Sequence, residues 1–337
     1  MGEDRGGPPN SLVDRFGRVH RNLRLAVTDR CNLRCRYCMP EAVEFRPRRE
    51  ILTYEEMVRV VQAAIGLGIR RVRITGGEPL VRRDVHELVR RLAELDQLHD
   101  IALTTNGLLL AEQADALRRA GLKRINVSLD TVRRTSFQRL TRRDELDRVV
   151  AGIDAARRAG FDSIRINAVA IAGFTEDEIA PLVEFCRSRR LTLRFIEFMP
   201  IDGEMLWEAG QVLSEAAIRA RIEASFGPLR PLPRTDPSQP ATDYALPDGT
   251  VIGLIASVTR PFCRHCDRLR LTADGTLRNC LFSQAGWEVR ELLRRGASRE
   301  AIMAQIAACI GAKKAGHGTD DPGPLQRPDR AMYQIGG

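Results

Sequence analysis

Three cysteines within eight residues form a candidate metal centre. Cys31, Cys35 and Cys38 have the spacing C-x3-C-x2-C in the stretch RCNLRCRYCMP. A structural zinc ion usually takes four protein ligands, whereas three crowded thiolates suit an iron–sulfur cubane, because each can bind one iron. The fourth iron could then bind a small chelating molecule and pass it one electron, beside the aromatic face of Tyr37. A zinc loop or a redox-inert cysteine group is the alternative.

A second group of cysteines lies near the other end of the sequence. Cys263, Cys266 and Cys280 have the spacing C-x2-C-x13-C, which again gives three thiolates and leaves one metal corner open. His265 lies inside the C-x2-C turn and is expected to point away from a metal. The alternative is a structural zinc site that takes its fourth ligand from a distant residue.

The charge balance favours an anionic partner. The sequence has 53 basic and 44 acidic residues, a net charge of +9, but only 5% aromatic residues and no nucleic-acid-binding signature. Arg268 and Arg270 directly follow the first two cysteines of the second group and share one face of a predicted strand. Two guanidinium groups beside an open cluster indicate an anionic small molecule held there.

The length of 337 residues is enough for one large domain and a smaller one, and the hydrophobic fraction of 43% is typical of globular proteins. The sequence shows no apolar run of membrane-spanning length and no secretory signal, so we expect a reducing, cytoplasmic location without a membrane partner. In that setting eight cysteines favour metal ligation over disulfides. Cys186 and Cys309, alone on predicted helices, are expected to be small core residues.

Strand-like runs alternate with amphipathic helical patterns, which predicts a parallel sheet with right-handed crossovers. The predicted strands are Asn22–Thr28, Arg71–Thr75, Ile101–Thr105, Arg124–Leu129, Ser163–Val169 and Thr192–Phe198. Thr53 and Glu56 match a capping box at the start of the first helix. Six strand–helix units are fewer than the eight of a closed barrel. The predicted fold class is therefore α/β, with a partial (β/α)6 TIM-type barrel.

Residue alternation along these strands predicts a polar cavity. Parallel strands that are buried on both faces should be apolar throughout, yet here one face is apolar and the other carries polar residues. The polar-face residues include Arg24, Arg73, Thr104, Arg165 and Arg194. A barrel lumen that holds a polar ligand explains this pattern, and a sheet with one solvent-exposed face is the alternative.

A proline-rich segment around residue 227, GPLRPLPRTDPSQPATDY, predicts a boundary or linker between residues 1–227 and 228–337. The second region is predicted to be a smaller α+β domain that carries the second cysteine group. Its strands are expected at Thr250–Ser257 and Arg268–Arg278, with a hairpin turn at Asp274-Gly275.

The motif ITGGEPL follows the second predicted strand. Gly76 and Gly77 have no Cβ, so the backbone can approach a ligand closely there. Together with C-x3-C-x2-C in the preceding unit, this motif resembles the part of the radical S-adenosylmethionine (SAM) superfamily that binds the amino group of SAM. In that superfamily SAM chelates the open iron, and its reductive cleavage yields a 5′-deoxyadenosyl radical.

The resemblance narrows to one family when further motifs are included. LAVTDRCNLRCRYCMP, RITGGEPLVRRD, LTTNGLLL, INVSLD, RFIEFMP, FCRHCDRLRL and a Gly-Gly end are similar to the GTP 3′,8-cyclases of molybdenum cofactor biosynthesis. The similarity extends from about Asn22 to Gly337 and is weakest from Gly227 to Ala245.

This resemblance implies roles for individual residues. Cys31, Cys35 and Cys38 would hold the SAM-binding [4Fe-4S] cluster, and the residues around SAM would be Tyr37, Gly77, Ser128 and Met199. A second [4Fe-4S] cluster, which meets the guanine base, would be held by Cys263, Cys266 and Cys280. The residues around GTP would be Arg24, Arg73, Thr104, Arg165, Arg194, Arg268 and Arg270, although the family has lysine where this sequence has Arg165. The catalytic residues would be Cys31, Cys35, Cys38, Arg268, Arg270, Gly336 and Gly337, with the glycine pair reaching into the active site.

The implied reaction converts GTP to (8S)-3′,8-cyclo-7,8-dihydroguanosine 5′-triphosphate. The 5′-deoxyadenosyl radical would take hydrogen from the ribose 3′ carbon, and the new radical would add to C8 of guanine. The implied partners are an electron donor and the next enzyme of the pathway, cyclic pyranopterin monophosphate synthase, with a homodimer left open and no nucleic acid. The alternatives are another radical SAM enzyme with an auxiliary cluster and a zinc-bearing nucleic-acid-binding protein.

Overall fold

The structure is a computed structural model that describes residues 11–205, 207–321, 323 and 325–336. Its first strands lie within two residues of the predicted bounds: β1 Asn22–Ala26, β2 Arg71–Thr75, β3 Asp100–Thr105, β4 Arg124–Ser128, β5 Ser163–Ala170 and β6 Thr192–Glu197. Each strand in this series pairs in parallel with the next. The predicted βα series is therefore confirmed.

Helices follow these strands and pack their apolar faces against the sheet in one hydrophobic core. They are α1 Tyr54–Gly66, α2 Val85–Ala93, α3 Leu110–Arg119, α4 Arg134–Thr141, α5 Leu146–Arg158 and α6 Ile179–Ser188. The capping box at α1 is present, because Glu56 N donates to Thr53 Oγ1 at 3.2 Å and Thr53 N donates to Glu56 Oε2 at 2.7 Å. Cys186 in α6 is fully buried, as predicted. Among the described helices, none has both the length and the apolarity needed to cross a membrane.

The C-terminal region extends the same sheet at both ends. Its strands are β7 Arg230–Pro231, β8 Thr242–Ala245, β9 Val251–Ile255, β10 Arg268–Leu271, β11 Thr276–Arg278 and β12 Trp287–Glu288. Strand β10 pairs in parallel with β1, and β9 pairs in parallel with β6. The sheet order is β12-β11-β10-β1-β2-β3-β4-β5-β6-β9-β8-β7, with antiparallel pairs only at the two ends. The partial barrel and its α+β extension are thus confirmed.

The remaining helices are α7 Glu215–Phe226, α8 Arg290–Arg294, α9 Arg299–Gly311 and α10 Met332–Ile335. Cys309 in α9 is fully buried, as predicted. The hairpin between β10 and β11 turns at the predicted Asp274-Gly275, where Gly275 has a φ of 84°.

The proline-rich segment contributes to the barrel as well as connecting its parts. Arg71 at the start of β2 pairs with Asp236 at 2.5 Å, and Gln239 Nε2 donates to Asp243 Oδ2 at 2.6 Å. The first contact holds the segment against the N-terminal end of β2, and the second lies within the segment and its strand β8. The boundary between residues 227 and 228 stays a prediction.

Candidate active site

A cavity of about 410 Å³ lies on the polar face of the sheet. Both cysteine groups line it, together with every residue predicted to contact SAM or GTP: Tyr37, Gly77, Ser128, Met199, Arg24, Arg73, Thr104, Arg165, Arg194, Arg268 and Arg270. Gly336 lies next to the cavity, and Gly337 lies outside the described residues. The period-two pattern of the strands therefore brings together side chains from distant parts of the sequence.

The first cysteine group lies in the loop that follows β1. Cys38 N donates to Cys35 O at 2.9 Å, and Leu33 N points to Cys31 Sγ at 3.4 Å, so the loop turns tightly around its thiols. Asn106, at the end of β3, donates to the same Sγ at 3.7 Å. Sequence reasoning did not assign Asn106 a role, although its place after a strand in LTTNGLLL is where ligand-binding loops begin.

The GGEP turn forms hydrogen bonds to the loop that carries the first cysteine group. Gly77 N donates to Thr28 O at 2.7 Å, and a Cβ on Gly77 would lie 2.4 Å from Arg30 O. The close approach of the loop backbone therefore requires glycine at position 77. Gly77 also lines the cavity. Glu78 is buried and accepts from Asn106 N at 2.6 Å and Thr105 Oγ1 at 2.7 Å. Burial raises the pKa of Glu78 to about 7, and these hydrogen bonds oppose the rise.

The three thiols of the first group are close enough to influence one another. Burial raises the pKa of Cys31 to about 11 and that of Cys38 to about 12, and it raises the pKa of Cys35 with help from the neighbouring thiols. Metal ligation requires thiolates, so the protons must leave when a metal binds. Among the described residues, no His, Cys, Asp or Glu side chains converge as ligands of a single ion. The thiolates of a cubane bind different irons, and three free thiols around one cavity fit that donor set.

The second cysteine group has a more positive environment. Burial raises the pKa of Cys266, but the charges of Lys313 and Arg268 outweigh it, and the pKa lies below its usual value. Burial and the neighbouring Cys280 raise the pKa of Cys263. A thiolate is therefore stabilised at Cys266 before any metal binds, which suits a metal ligand. His265 is exposed and does not line the cavity, as expected.

Tyr37 has a fixed orientation beside the first cysteine group. Its hydroxyl donates to Asp130 Oδ2 at 2.7 Å, and Val169 N donates to Asp130 Oδ1 at 2.7 Å. The Tyr37 ring meets Phe198 edge-on, with the ring centroids 6.4 Å apart. Burial raises the pKa of Asp130 to about 6. Asp130 was missed by sequence reasoning, although it follows β4 in the quoted INVSLD motif.

Several buried arginines line the cavity close to one another. Burial, with the charges of neighbouring arginines, lowers the pKa of Arg73 to about 9 and that of Arg165 to about 10. The same causes lower the pKa of Arg24. Arg194 is paired with Asp243 at 3.4 Å, and its Nε is buried without a hydrogen-bond partner in the described structure. An anion would relieve this mutual repulsion and satisfy the Nε donor.

The C-terminal tail docks against the same cavity. Tyr333 and Ile335 in α10 are buried, and Gly336 O accepts a hydrogen bond from Arg270 Nη1. Gly336 has a φ of 80°, and a Cβ there would lie 2.9 Å from both Ala26 Cβ and Thr75 Cγ2. Only glycine fits this position without displacing the first two strands.

Two family models cover most of the chain. Residues 25–186 match the Radical SAM superfamily, and residues 191–319 match Molybdenum Cofactor Synthesis C. The GTP 3′,8-cyclase of Rhodopirellula baltica is 51% identical over 98% of this chain and 93% of its own length. That of Corynebacterium glutamicum is 47% identical over 97% of this chain and 89% of its own length. GTP 3′,8-cyclase 1 of Mycobacterium tuberculosis is 45% identical over 89% of this chain and 84% of its own length.

Solved structures share the fold at low sequence identity. Streptococcus suis SuiB bound to S-adenosylmethionine has a TM-score of 0.62 and 16% identity, over 93% of this chain and 78% of that chain. SuiB bound to its precursor peptide SuiA has a TM-score of 0.60 and 17% identity, over 79% of this chain and 61% of that chain. This likeness concerns the fold, whereas the near full-length relatives identify the family. The chain belongs to the GTP 3′,8-cyclase family of the radical SAM superfamily.

Proposed function

We propose that this protein is a radical SAM cyclase that converts GTP to (8S)-3′,8-cyclo-7,8-dihydroguanosine 5′-triphosphate, an early step of molybdenum cofactor biosynthesis. The observation that carries the proposal is one cavity lined by two groups of three cysteines and by a cluster of arginines. Each feature has a separate purpose, because radical generation, base binding and phosphate binding need different side chains.

Cys31, Cys35 and Cys38 would hold the cluster that binds SAM. When bound, this cluster and SAM supply an electron and a 5′-deoxyadenosyl radical for hydrogen abstraction. The chain itself orients the bound SAM, because the hydroxyl of Tyr37 is fixed by Asp130 and the cysteine loop is fixed by the GGEP turn. Ser128 and Met199 line the same cavity and would complete the SAM site.

Cys263, Cys266 and Cys280 would hold the second cluster, which would bind the guanine base. The pairing register places Arg268 and Arg270 of β10 beside Asn22 and Arg24 of β1, so the base and the phosphates would be bound by adjacent strands. Arg270 is held by the carbonyl of Gly336, which fixes the direction of its guanidinium group. The tail thus takes part in shaping the GTP site.

The arginines of the cavity would bind the triphosphate, which carries about four negative charges. Arg–phosphate pairs are charge-assisted and bidentate, and the buried position of these arginines limits competition from water. By the resemblance, Arg165 stands where the family has lysine. Its planar guanidinium group can bind one phosphate through two parallel hydrogen bonds, a fixed geometry that an ammonium group does not have.

We expect Arg73→Ala to weaken binding of GTP more than binding of guanosine. Losing a charge-assisted hydrogen bond costs about 1.5–3 kcal/mol, which corresponds to roughly 10- to 150-fold in affinity. The measurement is calorimetric binding of GTP, GDP, GMP and guanosine to the purified protein. Arg134→Ala is the control, because Arg134 lies on the surface of α4 and pairs with Asp144 at 2.8 Å. Equal losses for GTP and guanosine would contradict phosphate binding by Arg73.

The function is tested by anaerobic purification with an iron count, followed by incubation with SAM, a reductant and each nucleoside triphosphate. We expect about eight irons per chain, since two cubanes each hold four. We also expect that, of the nucleoside triphosphates, only GTP gives both 5′-deoxyadenosine and a cyclised product. SAM cleavage without a GTP product would indicate another radical SAM enzyme. A colourless protein with stoichiometric zinc would refute the proposal.

We further propose a cytoplasmic location, an electron donor that reduces the first cluster, and delivery of the product to cyclic pyranopterin monophosphate synthase. Residues 1–227 would form the SAM barrel and residues 228–337 the region that carries the second cluster. A homodimer is proposed as the oligomeric state to test by light scattering.

A further inference from the structure

A buried lysine contacts the second cysteine group from behind the cavity. Lys313 is only 3% exposed and lies just after α9. Its Nζ donates to Cys266 Sγ at 3.5 Å and to Arg268 O at 2.9 Å. Lys313 is not among the residues that line the cavity. Its ammonium group nevertheless lies next to a thiol that would bind iron.

A second set of contacts joins the cysteine loop to the backbone that directly follows this lysine. Arg18 donates from Nη1 to Cys263 O at 2.9 Å and to Ala315 O at 2.9 Å, and from Nη2 to Lys314 O at 2.7 Å. Arg18 is only 8% exposed and is held by Asp14, whose carboxylate also meets His20 Nε2 at 3.1 Å. The cysteine loop and the lysine segment are therefore joined by one guanidinium group.

The ammonium group of Lys313 places a positive charge close to the position of a cluster that would gain an electron on reduction. Reduction of an iron–sulfur cluster adds one negative charge to the metal and its sulfurs. A buried ammonium group stabilises that charge more strongly than a surface one, because the local dielectric is low. Hydrogen bonds to the cysteine sulfurs and the local net charge are two of the factors that set cluster potentials.

We infer that Lys313 is a positioning residue that raises the reduction potential of the second cluster through its charge and its hydrogen bond to Cys266 Sγ. The inference rests on the proposed function, because it presupposes a cluster at Cys263, Cys266 and Cys280. It extends that function by naming a residue outside the cavity lining that would set the reduction potential of the cluster held by these cysteines.

The test is a redox titration of the second cluster alone, followed by electron paramagnetic resonance. The full-length chain carries Cys31→Ala, Cys35→Ala and Cys38→Ala, so that iron binds only at the second group. We expect Lys313→Met to lower the midpoint potential, with at least a tenfold lower ratio of reduced to oxidised cluster at a fixed potential. For a one-electron couple that change equals about 59 mV.

Two further variants separate charge from hydrogen bonding and from position. Lys313→Gln keeps a donor without a charge and should give an intermediate potential. Lys314→Met is the matched control, because Lys314 is the exposed neighbour that pairs with Asp320 at 3.1 Å. Its potential should equal that of the parent protein.

An unchanged potential in Lys313→Met, with the cluster spectrum intact, would overturn the inference. If neither neutral variant holds iron, Lys313 serves cluster binding and not its potential, which also overturns it. A parent protein that binds no iron–sulfur cluster at all would instead refute the proposed function. These outcomes are distinguishable because iron content and potential are measured on the same samples.

Discussion

Cys266→Ala is expected to abolish cyclisation while SAM still binds at the first cluster. The two cysteine groups lie on different elements, since the first follows β1 and the second flanks β10 and β11. Without Cys266, only two thiolates would remain to hold the second cluster, and the site should no longer bind the substrate in a productive position. The rate of product formation should fall at least a hundredfold, which is equivalent to an increase of about 2.7 kcal/mol in the activation free energy.

The measurement combines iron content, SAM binding and cyclised product on the same anaerobic preparation. Cys186→Ala is the matched control, because Cys186 is a fully buried thiol in α6 that belongs to the hydrophobic core and not to the cavity. The control should retain full iron and activity with a small loss of stability. Normal product formation by Cys266→Ala would remove the second cluster from the reaction.

Local sequence patterns predicted the strands and the face that each side chain occupies. Strand β2 has the predicted bounds, and Arg24, Arg73, Arg165 and Arg194 line the cavity as their parity indicated. This works because alternation in a strand depends only on the backbone geometry of that strand. The capping box at α1 is equally local.

Local sequence patterns did not predict the order of the strands at the two ends of the sheet. Strand β10 lies beside β1, although Arg268 and its partner Asn22 are far apart in the sequence. Strand β9 extends the parallel series next to β6. Consequently eight strands of the described chain are parallel, two more than the βα pattern indicated. Pairing between distant segments depends on tertiary packing, which a single-sequence pattern does not encode.

The same limit applies to the residues that support the second cysteine group. Arg18 reaches Cys263 across 245 positions of sequence, and Lys313 lies just past the end of α9, in a stretch whose sequence continues the helical pattern. Neither Arg18 nor Lys313 lies in a sequence motif that indicates its role. Asp130 differs, because it directly follows a strand whose polar face was already predicted, and that position was a usable signal.

Removing Gly336 and Gly337 is expected to leave the fold and both clusters intact but to reduce productive radical formation. Gly336 O accepts from Arg270 Nη1, and burial together with Arg268 lowers the pKa of Arg270 to about 10. Without this carbonyl, the buried guanidinium group loses an acceptor and can turn away from the substrate position. We expect the rate of product formation to fall at least tenfold, which is equivalent to an increase of about 1.4 kcal/mol in the activation free energy.

Gly336→Val tests the same contact without shortening the chain. A branched side chain at a φ of 80° is strained, and its Cβ would lie 2.9 Å from Ala26 Cβ, so the tail should leave its place against β1. The matched control is Gly210→Val, because an added Cβ at Gly210 meets no atom within 4 Å.

The readouts are 5′-deoxyadenosine and cyclised product, compared at matched iron content. If both fall in the truncated chain and in Gly336→Val but not in Gly210→Val, the contact with Arg270 supports radical formation on the substrate. If only product falls, the tail instead controls the step after hydrogen abstraction. Unchanged yields of both compounds would mean that the docked tail and its hydrogen bond to Arg270 have no part in the reaction.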